Sequence, residues 1–299
     1  MWNFQTEQRV FQIGNVEVGG KPGQVPTCLI GSLFYNKHYV VKDAMKGEFD
    51  REEAERLIKK QEEFSDKTGN PHMIDVVGSN PEALNRFLDF VAGTTQAPIL
   101  LDGVSADIRV AGLDYVKSCG LEDRIVYNSL LPEYKKDELQ KIREAGITSA
   151  ILLAFNTKEF TSEGRIKAIR TLLPKASSAG IEKPLIDTAV IDIPSLGMAC
   201  RAIYALRREF GLPVGSGAHN AIGTWRGLKK KMGSQAKDPS MAAASAITVA
   251  AGANFVLYGP IESADYMFPT IAMVDAAYAQ LAIEGGSMPD SKHPIFRIA

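Results

Sequence analysis

The chain has 299 residues, of which 45% are hydrophobic and 23% charged, and its formal net charge at pH 7 is −1. This composition is typical of a soluble globular protein, and the near-neutral charge gives no reason to expect nucleic acid or an anionic membrane as a partner. Its three cysteines, Cys28, Cys119 and Cys200, are widely spaced and include no Cys-x-x-Cys pair. They argue against a disulfide framework and a zinc site, so we expect reduced thiols, no bound metal and a cytoplasmic location.

Residues 1–26 predict a small N-terminal cap. Two short apolar runs, 10–13 and 16–18, flank Gly14-Asn15, a pair typical of a tight turn. We expect a β-hairpin that closes the bottom of the fold, within a single domain that spans residues 1–299.

From residue 27 onward, short apolar runs alternate with longer amphipathic stretches. Eight runs are predicted as strands: 27–34, 72–78, 98–102, 124–128, 149–156, 184–191, 212–216 and 255–258. The helical stretches are predicted to begin near residues 50, 81, 106, 135, 163, 195, 239 and 270. Eight buried strands, each followed by a helix, indicate an α/β protein with a closed (β/α)8 TIM barrel.

Helix boundaries carry signals of their own. Asp50 stands three residues before Glu53, as in a capping box, and a cap residue precedes a proline at Asn80-Pro81 and at Asp238-Pro239. The alternative fold is an open doubly wound sheet, which normally carries Gly-x-Gly-x-x-Gly after its first strand. Here that strand ends Gly31-Ser32-Leu33-Phe34-Tyr35, so the barrel is the predicted fold.

Polar residues stand at or near the ends of five predicted strands: Asp102, Asn128, Asn156, Asp187 and Asn220. The carboxyl ends of barrel strands meet at one mouth, so these side chains are expected to converge there. Any one of them alone is readily explained as a helix cap. Together, two carboxylates and several amides without a neighbouring cation suit a flat heterocycle rich in N–H donors, such as the amino-pyrimidine part of a pterin.

The ordered set of strand ends resembles a known family. It comprises Asp102-Gly103, Tyr127-Asn128-Ser129, Leu185-Ile186-Asp187 and Gly215-Ser216-Gly217-Ala218-His219-Asn220-Ala221. This set is similar to the pterin-binding barrels of corrinoid-dependent tetrahydropterin methyltransferases, above all to the MtrH family of tetrahydromethanopterin S-methyltransferase and its soluble bacterial relatives. One departure is Gly103-Val104, where wider relatives usually have Ser-Thr.

The resemblance implies methyl transfer from a methylated corrinoid protein, which carries methylcob(III)alamin, to N5 of tetrahydrofolate, giving 5-methyltetrahydrofolate and cob(I)alamin. It implies a catalytic role for Asn220 and Asp187, with Asn220 at N5. The residues expected to bind the pterin are Asp102, Asn128, Ser129, Asn156, Asp187, Ser216 and Asn220, and those expected on the corrinoid side are Tyr35 and His38. A homodimer is expected because dimers are the commonest assemblies.

Three alternatives stay open. The first is that the acceptor is tetrahydromethanopterin instead of tetrahydrofolate. The second is a non-catalytic subunit that binds a pterin or a corrinoid protein, and the third is a transferase like dihydropteroate synthase. The last should carry a lysine after the seventh strand and a basic pair after the eighth, whereas this chain has Asn220 and Gly259-Pro260. A further open point is the basic run 225–231, which is either a solvated surface or a contact for a folate's glutamate tail or for an acidic partner.

Overall fold

The computed structural model describes residues 4–298. Its strands are β1 (Val10–Ile13), β2 (Val16–Gly19), β3 (Cys28–Leu33), β4 (Val41–Asp43), β5 (Glu48–Phe49), β6 (His72–Gly78), β7 (Ile99–Gly103), β8 (Ile125–Leu130), β9 (Ser149–Leu153), β10 (Lys183–Asp187), β11 (Val214–Ser216) and β12 (Phe255–Pro260). Its α-helices are α1 (Arg51–Thr68), α2 (Pro81–Thr94), α3 (Ala106–Cys119), α4 (Lys136–Glu144), α5 (Ser162–Ser178), α6 (Ile193–Phe210), α7 (His219–Gly223), α8 (Leu228–Met232), α9 (Lys237–Ala250) and α10 (Ala264–Glu284).

Eight of these strands close into a parallel barrel in the order β3-β6-β7-β8-β9-β10-β11-β12, with β12 paired to β3. Helices follow the barrel strands on the outside, so the predicted (β/α)8 fold is confirmed. Successive residues of a strand point to opposite faces, and this divides the interior into two cores. One core packs the strands against the helices, and the smaller one fills the barrel lumen with residues such as Ile30, Met73, Leu100, Val126 and Leu185.

The predicted hairpin is present as β1 and β2, and it covers the amino-terminal end of the barrel. Ile13, Val16 and Val18 belong to the apolar core inside the lumen. The amide of Gly14 donates to the carbonyl of Asp123, just before β8, at 3.1 Å. Burying these side chains removes apolar surface from water and seals the bottom of the barrel.

Arg207 on α6 joins the hairpin to the barrel. Its guanidinium is buried and donates to the backbone carbonyls of Gly20 and Gly252 and, at 3.0 Å, to Oε1 of Gln8. Burial lowers the pKa of Arg207 to about 9. Because this buried cation has several acceptors around it, it contributes to holding the cap in place.

Several boundaries differ from the predicted ones. Asp50 and Asn80 cap α1 and α2 as expected, with their side chains accepting from the amides of Glu53 and Ala83. The cap predicted at Asp238 is wrong: a 3₁₀ turn leads directly into α9, so Asp238 and the following proline lie in its first turn, where a missing N–H costs nothing. The last helix begins at Ala264 and contains Pro269 instead of starting after it. The strands predicted as 149–156 and 184–191 end earlier, at Leu153 and Asp187.

Candidate active site

A layer of polar side chains closes the mouth end of the lumen. On five strands the residue two positions beyond the apolar lumen residue is polar, and these residues are Ser32 on β3, Asp75 on β6, Asp102 on β7, Asn128 on β8 and Asp187 on β10. Residues two apart on a strand face the same side, so all five point toward the barrel axis. On β9 the corresponding residue is Leu153, and the ring is interrupted there.

Asp75 joins two other members of this layer and was not among the residues singled out from the sequence. Its Oδ2 accepts from the hydroxyl of Ser32 at 2.7 Å, and its Oδ1 accepts from the side-chain amide of Asn128 at 3.0 Å. Burial raises the pKa of Asp75 to about 6, against these two hydrogen bonds, which lower it.

Asp102 is the neighbouring carboxylate, and it is partly exposed at the mouth. Its Oδ1 accepts from the amide of Gly103 at 2.6 Å. Burial, and secondly the charge of Asp75, raise the pKa of Asp102 well above its usual range, while Arg109 lowers it. A carboxylate whose pKa is raised by burial and by a neighbouring acid favours a ligand that donates N–H groups to it.

Asp187 ends β10 on the other side of the mouth. Its Oδ1 accepts from the amide of Ala189 at 2.8 Å, in a turn where Ala189 has a positive φ of 54°. The buried guanidinium of Arg165 holds this turn by donating to the carbonyls of Thr188 at 2.7 Å and Ala189 at 3.0 Å. Burial raises the pKa of Asp187 to about 6, whereas the backbone amides of Ala189 and Gly217 and the charge of Arg165 lower it.

Asn220 does not end a strand, as the sequence had suggested; it lies in the first turn of α7 and is exposed. Its neighbour His219 is turned inward, with Nδ1 2.9 Å from the carbonyl oxygen of Leu257. The ring of His219 packs on Gly259, where a Cβ would lie 2.7 Å from it. A side chain at Gly217 would likewise come within 3.2 Å of the amide nitrogen of Asn220, so this glycine leaves room for the amide.

Ser216, at the end of β11, carries a hydroxyl with an unsatisfied hydrogen-bonding capacity. The side chain is fully buried, and its Oγ has no partner within residues 4–298. A buried hydroxyl without a partner costs on the order of 1–3 kcal/mol. Val214, two residues earlier on β11, and Val256, the partner of Ser216 on β12, both belong to the core between strands and helices, so the Ser216 hydroxyl faces the helices and not the lumen. An ordered water on that side would remove the cost.

Two of the predicted pterin-binding residues lie at the margin of the layer. Asn156 is three residues beyond the end of β9, and its Oδ1 accepts from the amides of Lys158 at 3.0 Å and Glu159 at 3.1 Å. It caps a loop, which is the alternative role considered for such residues. Ser129 follows Asn128 through a cis peptide bond and is half-buried.

Tyr35 and His38 form a cluster with Glu262 at the junction of the first and last barrel strands. The hydroxyl of Tyr35 donates to Oε1 of Glu262 at 2.6 Å, and Nε2 of His38 lies 3.5 Å from Oε2. The ring of Tyr35 stacks on that of His38, with centroids 4.3 Å apart, and His38 is only 1% exposed. A partner docking here would therefore contact Tyr35 and Glu262, with His38 behind them.

The described residues, 4–298, contain no group of three or more His, Cys, Asp and Glu side chains arranged to hold a metal ion. Within the same residues, no helix combines the length and the apolar character needed to cross a bilayer.

The family model for the MtrH subunit of tetrahydromethanopterin S-methyltransferase matches residues 6–288 of this chain. The chain belongs to the MtrH family. The corresponding subunit of Methanothermobacter thermautotrophicus is 39% identical to it, with 100% of each chain covered. That of Methanocaldococcus jannaschii is 38% identical, again with 100% of each chain covered. The resemblance inferred from the order of the strand ends is confirmed.

Among solved structures, dihydropteroate synthase of Xanthomonas albilineans is similar in fold to this MtrH family member. The TM-score is 0.62 and the sequence identity 15%, over 91% of this chain and 98% of that one. At this identity the likeness establishes a shared barrel architecture and nothing about activity.

Proposed function

We propose that the chain transfers a methyl group between a corrinoid, carried by a partner protein, and N5 of a tetrahydropterin. One observation carries this proposal: Asp75, Asp102, Asn128 and Asp187 form a polar layer across one open barrel mouth, with the exposed amide of Asn220 at its edge. Membership of a methyltransferase family supports the reaction class.

The pterin ring is assigned to the polar layer. An amino-pyrimidine presents two adjacent N–H donors on one edge, which pair with a single carboxylate in a bidentate contact. Asp102 and Asp187 are suited to this role because burial raises the pKa of each carboxylate. N–H donors from the ligand stabilise the ionised carboxylate, so binding offsets the free-energy cost of burying its charge.

Asn220 is assigned to N5. Its amide accepts a hydrogen bond from N5–H before the reaction and donates one to a nitrogen lone pair in the reverse direction. In the forward direction the lone pair of N5 forms a bond to the methyl carbon. The carbon–cobalt bond breaks with its electron pair left on cobalt, and the N5 proton is released. The protein positions the two reactants and surrounds them with fixed polar groups, and no residue forms a covalent bond.

Tetrahydromethanopterin is the better supported acceptor, in place of the tetrahydrofolate expected from the sequence. The relatives from both methanogens are named for tetrahydromethanopterin. The two pterins share the ring system that the polar layer is proposed to bind, so the same residues serve either substrate. Residues outside the polar layer must then distinguish tetrahydromethanopterin from tetrahydrofolate.

Two measurements test the proposal. Calorimetry with tetrahydromethanopterin and tetrahydrofolate measures binding, and turnover of the purified chain with free methylcobalamin measures catalysis. If neither pterin binds, the barrel mouth is not a pterin site and the proposal is rejected. Binding without turnover, both with methylcobalamin and with a methylated corrinoid protein, would favour a non-catalytic subunit. Light scattering in solution would test the expected homodimer.

A further inference from the structure

The segment 224–237, which runs from the end of α7 to the first residue of α9, is strongly basic. It contains five cationic side chains and no carboxylate before Asp238, and these cations are Arg226, Lys229, Lys230, Lys231 and Lys237. None of the five takes part in an ion pair within the part of the chain that the structure describes. Like charges held close together repel, so an anionic ligand would stabilise this arrangement.

Three of these cations line a cavity of about 500 Å³, together with apolar side chains. Arg226, Lys229 and Lys237 border it, and Trp225 and Leu228 form part of its wall. Lys230 and Lys231 belong to the same segment but do not border the cavity. The pocket thus combines an apolar surface with a positive rim, which suits a ligand that has an apolar linker and an anionic end.

The cavity adjoins the proposed pterin site. Gly223, the last residue of α7, borders it, and Asn220 lies three residues earlier on the same helix. At 1.5 Å per residue the two are about 5 Å apart along the helix axis. The hydroxyl of Thr224 donates to the carbonyl of Ile191 at 3.1 Å, which attaches this segment to the connection that follows Asp187.

We propose that this basic pocket binds the anionic side chain of the tetrahydropterin substrate while the ring occupies the polar layer. The inference rests on the proposed function, since it assumes that a pterin lies at Asn220. The chemistry shared by the candidate substrates is a long side chain that ends in carboxylate or phosphate groups. An acidic face of a partner protein is the less favoured occupant, because a flat surface would contact Lys230 and Lys231 as readily as the three cations that border the cavity.

The test compares binding of ligands that carry different side chains on a tetrahydropterin ring. Calorimetry with 6-methyltetrahydropterin, tetrahydrofolate, tetrahydrofolate triglutamate and tetrahydromethanopterin measures Kd for the wild type, for the triple variant R226Q/K229Q/K237Q and for the single variant K230Q. Each exposed charge pair contributes little, so the triple variant should lose about tenfold in affinity for the ligands with long anionic side chains. Its affinity for 6-methyltetrahydropterin should stay unchanged, and K230Q should match the wild type.

Each contrary outcome has a distinct meaning. Equal losses for ligands with and without the side chain would overturn the pocket, as would a loss in K230Q as large as in the triple variant. Unchanged pterin affinity in the triple variant, with slower turnover only when the corrinoid protein is present, would overturn it too and assign the surface to that protein. A wild-type protein that binds none of the four ligands would reject the proposed function itself. Two of the ligands distinguish which side chain the pocket recognises. A loss of affinity for tetrahydrofolate triglutamate would indicate a site for its carboxylates, and a loss for tetrahydromethanopterin a site for the acidic side chain of that pterin.

Discussion

The side-chain amide of Asn128, on β8, donates a 3.0 Å hydrogen bond to the carboxylate of Asp75, on β6. The strand between them is β7, which carries Asp102. The bond fixes the orientation of the Asn128 amide, since its nitrogen is directed to Asp75 and its carbonyl oxygen is left for another donor. Asp75 therefore acts on the site through Asn128, although it lies deeper in the barrel.

Replacing Asp75 by Asn should change how stability depends on pH. The pKa of Asp75 is about 6 in the folded protein, above its ordinary value of 3.8. A raised pKa means that this group stabilises the fold at low pH and loses that contribution as the pH rises through about 6. Between pH 4 and pH 7 the free energy of unfolding of the wild type should therefore fall by up to about 3 kcal/mol relative to that of Asp75→Asn. Urea unfolding at the two pH values measures the difference.

Asp275→Asn is the matched control for this experiment. Asp275 is buried at the opposite end of the barrel, where it accepts from the amide and hydroxyl of Thr27 and from Asn70, and its pKa is also raised to about 6 by burial. It should show a similar change with pH and no effect on pterin affinity. A stability difference between Asp75→Asn and wild type that is constant with pH would contradict the prediction.

Replacing Asp187 by Asn should weaken pterin binding and leave the fold intact. The variant keeps an oxygen that accepts from the amide of Ala189, so the turn held by Arg165 is retained. Hydrogen bonds to a charged group contribute about 1.5–3 kcal/mol, which corresponds to a loss of about 10- to 100-fold in Kd. Calorimetry measures this, and circular dichroism checks the fold. Wild-type affinity in this variant would remove Asp187 from the site.

Replacing Asn220 by Ala should lower the rate of methyl transfer by about 100-fold and the pterin affinity much less, because the amide is assigned to charge that develops at N5 in the transition state. Single-turnover rates and Kd together measure the two effects. Asn156→Ala is the matched control, since Asn156 already accepts two backbone hydrogen bonds in its loop. Losses of the same size in rate and affinity for Asn220→Ala would argue against its place at N5.

Pterin binding should release protons at any pH where Asp102 is protonated in the free protein. Burial and the charge of Asp75 raise the pKa of Asp102, so this carboxyl keeps its proton to a higher pH than an ordinary aspartate, and paired N–H donors from the ligand favour the ionised form. Calorimetry in buffers of different ionisation enthalpy counts the protons. Asp102→Asn should abolish part of the release. Proton uptake by the wild type would show that the ligand binds the neutral acid.

Replacing Tyr35 by Phe should slow methyl transfer from the corrinoid protein without changing pterin affinity. The change removes the 2.6 Å hydrogen bond to Glu262, so among the described residues this carboxylate keeps only the contact of 3.5 Å with Nε2 of His38 to hold its position. Tyr39→Phe is the control, because its hydroxyl donates to Glu53 on α1 instead. If both variants behave alike with the corrinoid protein, the cluster of Tyr35, His38 and Glu262 has no role in docking.

The barrel could be read from the sequence because strands buried on both faces are apolar throughout and the intervening helices carry clear periodicity. Asp102, Asn128 and Asp187 were found because each ends an apolar run. Asp75 was missed because apolar residues follow it within its strand. The signal that could have found it is the spacing of two between Met73 and Asp75, which repeats between Leu100 and Asp102.

Other features depend on packing that no local pattern reports. Asn220 was assigned to a strand end, whereas the contact of His219 with Gly259 and Leu257 turns the chain into α7 at that point. Asn156 was included because it follows an apolar run, but β9 ends three residues before it. The end of β11 at Ser216 was predicted correctly, and the first error concerns the residues that follow it. The second concerns where a strand stops, which is decided by neighbouring strands and not by the residues of the strand alone.

The hairpin seals the lower end of the lumen with Ile13, Val16 and Val18. Small molecules can therefore enter the lumen only through the mouth at the carboxyl ends of the strands. If the proposed function is correct, both reactants must use this entrance. A pterin seated on the polar layer would be covered once the corrinoid protein docks, and its methylated product could not escape until that protein departs. The architecture therefore imposes an order of events: pterin enters first, the protein partner second, and the partner leaves before the pterin does. Steady-state kinetics should accordingly follow a sequential scheme with a ternary complex.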